Sequence, residues 1–393
     1  MRGEGGMSGV DTGTAGAQAV GCAKSTDGKL WLVCVAKRTY TFAGGKLRLA
    51  DEQVLVRREP DFEVDENGRM RTLRDDMDLF PPKVATDVVV TGRAYAPGGK
   101  AREVMVGVAV GRNARVLRVL GERRAEVSIE GHVRFSEAAP FESVPLSWDL
   151  AYGGYDAYAH DELNPPKRRN GRRIEPSPRK EGVFAYPRNK VGRGYFIDVD
   201  RDRADGELLP QIEDPGDPLT PARFFVPHWR AWLDAPMPGG LGWVAHTWYP
   251  RMMRLMGGFL EHDPATKPIR EMQFADGNDL KGPFAKNKVL PRGQQGAVPG
   301  MAVERLRGDE LVILQGLVEG EAETRFQLPG ERPRMEVKPP GSPKVFTPGA
   351  VLQTVRMDVE KRTASLMWCG ATRLLQALEK VQVEGVELRT AWY

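Results

Sequence analysis

Hydrophobic positions in the first third of the chain follow the two-residue period of β-strands. Residues 30–36 form a continuous apolar run, typical of a strand buried on both faces, and residues 39–42 continue it with β-favouring side chains. Gly44-Gly45 then supplies a turn. Valine occupies every second position from 104 to 110, which places all four valines on one face of a sheet. Short β-branched or apolar runs predict further strands at 88–90, 116–120 and 127–129.

The last third returns to the same pattern. Residues 309–314 predict a strand, and the strict apolar–polar alternation over 354–360 predicts a half-exposed one. A short turn then leads into 364–368, which completes a hairpin. Helical spacing of leucines after Thr372 predicts one short helix near 372–382. Because strands do not alternate with long helices, we predict a mainly β fold, an antiparallel β-sandwich or barrel-like architecture with few short helices.

The middle of the chain differs from both ends in composition and in hydrophobic periodicity. Five of the eight tryptophans lie between 145 and 300, among many glycines and prolines and with weak periodicity. This pattern favours long, ordered, aromatic-rich loops, since glycine and proline interrupt regular elements while tryptophan buries a large area. We predict a disordered glycine-rich tail over 1–19 and one large domain over 20–393, with 20–145, 146–300 and 301–393 as sub-lobes.

Composition argues against a dedicated nucleic-acid binder, a disulfide-rich protein and a protein with a membrane-spanning helix. The chain has 393 residues, is 41 % hydrophobic and carries a formal net charge of only +4, so its overall charge does not indicate a dedicated nucleic-acid binder. Its three cysteines are too few for a disulfide framework, and Cys34 and Cys369 sit in apolar runs. No apolar stretch reaches the roughly 18 residues of a membrane helix. We expect a cytoplasmic protein that does not bind a membrane.

A search for catalytic and cofactor motifs finds no candidate. The phosphate-binding pattern GxxxxGK[ST], the nucleophile elbow GxSxG and the zinc motif HExxH are absent from the sequence. The five histidines are widely separated, with no CxxC pair nearby. We therefore expect no catalytic residue, no cofactor, no metal and no small-molecule substrate.

The strongest local charge feature is a basic run within 165–180. It holds seven lysines and arginines, against two glutamates up to residue 181. A solvated insertion loop is one interpretation, since proline, asparagine, glycine and serine fill the rest. The other is a docking site for an acidic protein partner; DNA is disfavoured because no aromatic side chain is interleaved with the charges.

The aromatic–glycine run 148–154 is the most distinctive segment. In a strand entering a turn, Trp148, Leu150 and Tyr152 share one face, and Gly153-Gly154 permits positive φ. This ladder either packs the core or lines an exposed groove, because tryptophan and tyrosine are frequent in both places. Two further sets of residues leave the same choice between a structural and a binding role. Arg188 and Arg193 either donate hydrogen bonds to backbone carbonyls of their loop or bind a carboxylate of a partner. The aromatic side chains between 224 and 243 either pack in the core or form a partner-binding surface.

Several segments in a fixed order resemble the DUF2169 proteins, which are encoded with bacterial type VI secretion systems. The segments match the family's patterns over about 80–370, with departures mostly after Pro250. They are 80–99 (FPPK…TDVVVTGRAYAPGG), 116–123 (VLRVLGER), 144–156 (VPLSWDLAYGGYD), 186–195 (YPRNKVGRGY), 209–213 (LPQIE), 248–251 (WYPR) and 308–310 (GDE).

The resemblance implies a non-enzymatic adaptor or chaperone, which binds a secreted effector and promotes its loading onto a VgrG-type spike protein. A carbohydrate- or cell-wall-active hydrolase with aromatic substrate-binding loops is the alternative. The predicted partner-binding residues are Trp229, Trp232, Trp243, Trp248, Arg251, Phe224, Arg188 and Arg193. The motif residues predicted to be structural are Trp148, Tyr152, Gly153, Gly154, Asp156, Asn189, Gly192 and Gly194.

Overall fold

The computed structural model describes residues 10–11, 16–24, 30–64, 70–79, 82–83, 85–156, 168–169, 172–173, 185–244, 296–374 and 385–393. Its strands are β1 (Val10–Asp11), β2 (Ala17–Lys24), β3 (Leu30–Ala43), β4 (Lys46–Leu49), β5 (Asp61–Val64), β6 (Met70–Asp75), β7 (Thr86–Thr91), β8 (Arg93–Tyr95), β9 (Glu103–Val110), β10 (Asn113–Leu120), β11 (Ala125–Val127), β12 (Val133–Phe135), β13 (Ser143–Pro145), β14 (Tyr152–Gly153), β15 (Arg168–Arg169), β16 (Arg172–Arg173), β17 (Arg193–Gly194), β18 (Phe196–Ile197), β19 (Ile212–Glu213), β20 (Phe225–Val226), β21 (Ala302–Val303), β22 (Leu311–Val318), β23 (Glu321–Gln327), β24 (Pro333–Lys338), β25 (Val351–Asp358), β26 (Thr363–Leu374) and β27 (Glu387–Trp392). The described helices are short 3₁₀ turns at Pro97–Gly99, Trp148–Leu150, Asp202–Ala204, Pro221–Arg223 and Trp229–Asp234.

Two larger sheets organise the fold. The first has eight strands in the order β1-β2-β3-β26-β25-β7-β21, with β4 paired to β3. Its neighbours are antiparallel except β25 and β7, which run parallel. The second sheet is antiparallel, in the order β19-β10-β9-β22-β23. The first and last thirds of the chain therefore share one sheet.

The main core lies between these two sheets. The valines at even positions of β9 face the valines of β7 and β25, and Phe42 stacks on Phe326 at a centroid distance of 4.7 Å. The outer end of the first sheet has its own apolar layer, in which the two-stranded β24–β27 sheet covers β2 and β3. The fold is thus mainly β with stacked antiparallel sheets, as the alternation predicts, and the described strands do not close into a barrel.

Most strand predictions are confirmed. Within the run 30–36, residues 32–36 are buried on both faces, because β3 is central in its sheet with apolar layers on either side. Gly44 and Gly45 form the β3–β4 turn with φ of +59° and +75°, a conformation that glycine adopts without strain. The predicted hairpin is the β25–β26 pair. Cys34 and Cys369 are buried and reduced.

Two element boundaries and the burial of one strand differ from the predictions. β1 and the first three residues of β2 lie inside the predicted tail 1–19, where Val10–Asp11 pairs with β2. Residues 1–9 and 12–15 lie outside the described residues. The predicted helix near 372–382 is wrong at its start, because β26 continues to Leu374 against β3; the remainder from 375 lies outside the described residues. β25 is less exposed than its alternation suggests, since it lies between β26 and β7 and even Thr354 is buried.

The middle of the chain builds a second, smaller core. It consists of short strands and 3₁₀ turns around aromatic side chains, bordered by β11 and β12. No helix among the described residues is long and apolar enough to cross a membrane.

Candidate functional site

The segment 148–154 begins with a helical turn and not with the predicted strand. Trp148–Leu150 forms a 3₁₀ turn, at whose start the Ser147 hydroxyl accepts a hydrogen bond from the Asp149 amide. Serine favours this position because its oxygen satisfies an amide that the turn leaves without a partner. The Trp148 indole is buried and donates to the backbone oxygen of Trp243 at 2.6 Å. The run is therefore an interior junction between the main core and the loop-rich region.

The buried side chain of Asn189 stabilises this junction through hydrogen bonds. Its buried Nδ2 donates to the backbone oxygens of Trp148 at 2.8 Å and of Tyr152 at 3.1 Å. Its own backbone oxygen accepts from the Gly154 amide at 2.9 Å. A side-chain amide has two N–H donors, so one asparagine satisfies two carbonyls that irregular backbone leaves without partners.

The motif glycines allow the two loops to touch. β14 and β17 pair in parallel, and a Cβ on Gly153 would lie 2.1 Å from the Asn189 oxygen. A Cβ on Gly192 would lie 2.4 Å from the Ala151 oxygen. Gly154 and Gly194 have φ of +112° and +90° and similarly close neighbours. Gly153, Gly154 and Gly192 require glycine because backbone approaches backbone there, and Gly194 because its φ is positive and the Pro210 ring lies 2.9 Å from the position of a Cβ.

Asp156 ties the same junction to the next loop. Its carboxylate accepts two hydrogen bonds from the Arg203 guanidinium, at 2.6 and 2.5 Å, and one from the Ile197 amide at 2.8 Å. Asp156 is buried, and a two-pronged arginine contact is the arrangement that compensates best for removing a carboxylate from water.

Four predicted partner-binding residues are interior residues, which corrects that prediction. Trp232, Trp243, Phe224 and Arg188 are only 0–3 % exposed. Trp232 and Phe224 belong to the second core, where Phe224 contacts Phe135 and Phe196 edge-on or tilted. The physical reason is that short strands alone bury too little area, so the loop-rich region folds around its aromatics.

Arg188 serves this second core. Its guanidinium lies 5.1 Å from the Trp232 ring and donates to the Tyr186 hydroxyl at 2.8 Å. That hydroxyl in turn donates to the Pro236 oxygen at 2.9 Å. Arg193 is half-buried and donates to the Asp149 oxygen at 3.0 Å. Both arginines thus bind carbonyl or hydroxyl oxygens of the loops.

For three further predicted partner-binding residues, the structure describes no side chain. Trp229 starts the 3₁₀ turn Trp229–Asp234, and its side chain lies outside the described part of the structure. Trp248 and Arg251 lie outside the described residues, as does most of the basic run. Within that run, Arg168–Arg169 and Arg172–Arg173 pair as antiparallel strands.

A buried carboxylate links the loops to the second sheet. Glu213, at the end of the 209–213 motif, accepts from Arg123 at 2.6 Å and from Arg118 at 3.4 Å. Burial raises the pKa of Glu213, while the two arginines act in the opposite direction. Glu213 lies on β19, the edge strand that pairs with β10 in the second sheet. Its ion pair with Arg118 on β10 therefore stabilises the pairing of this edge strand.

The described residues contain no group of three or more histidine, cysteine, aspartate or glutamate side chains that could hold a metal ion. His132 lies on the surface beside Glu130, at 3.5 Å, and His228 is also exposed.

A concave surface among the described residues is a groove at one end of the second sheet, with a volume of about 1330 Å³. Its walls are the loop after β8, the start of β9 and the β22–β23 turn. Its lining residues include Tyr95, Gly98, Gly99, Lys100, Glu103, Met105, Glu142, Ser143, Gln315, Glu319 and Glu321. We call this surface the acidic groove, because it has four glutamates and one lysine.

Sequence reasoning missed the groove, although one signal was present. The 80–99 motif ends in Pro97-Gly98-Gly99, and both glycines have positive φ with open space around the position of a Cβ. Glycines that turn the chain without touching a neighbour differ from the crowded glycines of the 148–194 junction. The glutamates come from three separated segments, so no local pattern predicts their proximity.

The comparisons with known proteins identify a family. The family model DUF2169, described as "Uncharacterized protein conserved in bacteria", matches residues 27–369, which is most of the chain. No curated protein and no solved structure is similar enough to count as a match. The chain therefore belongs to the DUF2169 family.

Proposed function

We propose that this protein is a non-enzymatic, cytoplasmic adaptor that binds a type VI secretion effector and promotes its loading onto a VgrG-type spike protein. The order of the motifs, and what that resemblance implies, supports the secretion role. The observation that carries the binding role is the acidic groove.

The groove suits a protein segment better than a small molecule. Its volume of about 1330 Å³ exceeds the roughly 300–1,000 Å³ typical of small-molecule pockets. Its walls mix apolar surface from Met105 with the aromatic ring of Tyr95 and with carboxylates. Acidic walls repel the phosphates of nucleic acids and of anionic lipids, which supports a protein partner.

A hydrolase is the weaker proposal for the same groove. Acid–base catalysis needs a carboxyl group with a raised pKa. Arg118 binds both oxygens of Glu103, at 2.8 and 2.7 Å, and this contact lowers the pKa of Glu103. Glu321 is held by Arg362 at 2.7 Å. Arg118 therefore keeps Glu103 ionised, and Arg362 occupies the carboxylate of Glu321, which opposes a proton donor role for Glu103.

Co-expression with its genomic neighbours tests the proposal. We expect the tagged protein to copurify with an adjacent effector, and the effector's steady-state level to fall in cells that lack the adaptor but retain the spike. Restoring the adaptor gene is the control. A normal effector level and normal secretion without the adaptor contradict the proposal. Release of reducing sugars or peptides from purified cell wall by the protein alone supports the hydrolase.

A further inference from the structure

Strand β9 is paired unevenly on its two sides. It pairs with β10 along its whole length, from Glu103 to Val110. Its ladder with β22 covers only Gly107–Val110 among the described residues. The first half of β9 therefore has a sheet neighbour on one side only, and the other side opens into the acidic groove.

The unpaired side of the first half of β9 is called the gap here. The hydrogen bonds at its two ends show which backbone groups of β9 point into it. On the β22 side, Gly111 donates to Leu311 at 3.0 Å, and Ala101 exchanges two hydrogen bonds with Phe141. On the β10 side, Gly121 donates to Arg102 at 2.9 Å. Backbone groups alternate sides along a strand, so odd-numbered residues of β9 point towards β22. The amides and carbonyls of Glu103 and Met105 therefore point into the gap.

The gap exists because β22 turns away. Its register against β23 shifts between Gln315 and Val318, and Gly316 has φ of +63°. Glycine in this conformation is typical of a β-bulge, which bends the strand. β22 also contacts β8, and Gly316 stays beside β9, since a Cβ on Gly316 would lie 2.9 Å from the Val106 side chain. The groove is the space that this bend leaves.

The charge of the groove indicates what it accepts. Glu103 and Glu321 are paired with Arg118 and Arg362, but Glu142 and Glu319 form no ion pair within the described part of the chain. Both are exposed, and Lys100 is the lining cation. The Met105 side chain is 51 % exposed on the same wall. An occupant with alternating basic and apolar side chains matches this surface.

We propose that an extended, lysine- or arginine-bearing segment of the partner adds to β9 as a short strand, pairing its backbone with Glu103 and Met105. Its basic side chains contact Glu142 and Glu319, and an apolar side chain covers Met105. Backbone pairing supplies affinity in this binding mode, and the side chains supply selectivity. The inference rests on the proposed function for the identity of the partner but not for the existence of the site.

A synthetic peptide tests the site directly. The probe is a fluorescein-labelled, eleven-residue peptide in which lysine alternates with valine and threonine, and its binding is followed by anisotropy at about 0.1 M salt. We compare E142K/E319K with the control E130K/E387K, which reverses two exposed glutamates outside the groove. We expect the groove variant to bind at least about tenfold more weakly, and the control to bind like wild type. Equal binding by the two variants overturns the proposal, as does no binding to wild type.

A backbone-modified peptide separates strand addition from simple charge attraction. N-methylation of alternate amides removes hydrogen-bond donors and keeps every charge. We expect the peptide methylated on the edge facing β9 to lose about tenfold in affinity, and its isomer methylated on the opposite edge to bind normally. Equal binding of both methylated peptides and the parent overturns strand addition.

The same variants distinguish this inference from the adaptor proposal. If E142K/E319K loses the effector that wild type and E130K/E387K both copurify, the inference is supported. Retention of the effector by the groove variant overturns the groove as its docking site and leaves the adaptor role standing. Peptide binding that depends on the groove, without any copurified effector, supports the site and contradicts the adaptor role.

Discussion

The side-chain amide of Asn189 donates a 2.8 Å hydrogen bond to the backbone oxygen of Trp148, across the junction between the main core and the loop-rich region. A second hydrogen bond, to Tyr152, uses the other amide hydrogen. The two family motifs 144–156 and 186–195 thus meet at one buried side chain. We interpret both motifs as structural, since their residues bind one another.

Replacing Asn189 by Ala should destabilise the fold. Two buried carbonyls lose their donor, and each unsatisfied group costs about 1–3 kcal/mol. We expect the free energy of unfolding to fall by about 2–4 kcal/mol in urea titrations. The control is Asn113→Ala at the half-buried start of β10, for which we expect a smaller change. Equal stability of the two variants contradicts this role for Asn189.

Two glycine substitutions with ordinary φ form a matched pair. Gly192→Ala places a Cβ 2.4 Å from the Ala151 oxygen, whereas Gly349→Ala meets nothing within 4 Å. We expect Gly192→Ala to lower the free energy of unfolding by about 1–3 kcal/mol or to prevent folding, since backbone must move. Gly349→Ala should be neutral or slightly stabilising. Thermal melting measures both, and a harmless Gly192→Ala contradicts the close approach.

The tyrosines of the second core allow the same substitution in two environments. The Tyr186 hydroxyl accepts from Arg188 and donates to Pro236, whereas the buried Tyr152 hydroxyl has no hydrogen-bond partner within the described residues. We expect Tyr186→Phe to destabilise the protein by about 1–3 kcal/mol and Tyr152→Phe to be neutral or stabilising. Chemical denaturation of both variants measures the difference, and the opposite order of stability rules out this account of the cluster.

Alkaline pH should destabilise the fold through Tyr40. Burial, followed by the hydrogen bond to Glu331, raises the pKa of Tyr40 well above its ordinary value of 10.0. The unfolded chain then loses the phenolic proton at a lower pH than the folded protein. The stability contribution is complete below pH 10.0 and is lost as pH rises above it. We expect a shallower decline in unfolding free energy above pH 10 for Tyr40→Phe than for wild type. Tyr393→Phe, at an exposed position, should decline like wild type.

The alternation of apolar residues predicted the sheets well but not the loop-rich centre. Strands such as β3 and β9 carry their burial pattern in neighbouring residues, so a local pattern suffices. The period-two spacing predicts a strand at Trp148 because it ignores Ser147, whose hydroxyl caps a 3₁₀ turn. The sequence cannot distinguish a core role from a partner surface for Trp232, because a tryptophan in an irregular segment has the same local sequence whether buried or exposed.

The groove depends on contacts that no sequence window contains. Its open strand edge arises where the ladder between β22 and β9 ends at Gln315 and Gly107, which lie far apart in the chain. Glu142 and Glu319 line the same groove only because the segment before β13 and the β22–β23 turn border the same gap. Such a site follows from tertiary pairing, whereas the motif residues that stand out in the sequence turned out to be buried.

Photocrosslinking tests the central claim most directly. Met105→p-benzoylphenylalanine places the reactive group in the groove, and Ile129→p-benzoylphenylalanine places it on a fully exposed control position outside it. Irradiation of cells that co-express the adjacent effector, followed by mass spectrometry, identifies the linked segments. We predict an adduct between the Met105 position and a lysine- or arginine-rich segment of the effector, and none at Ile129. An effector adduct at Ile129 without one at Met105 contradicts the account.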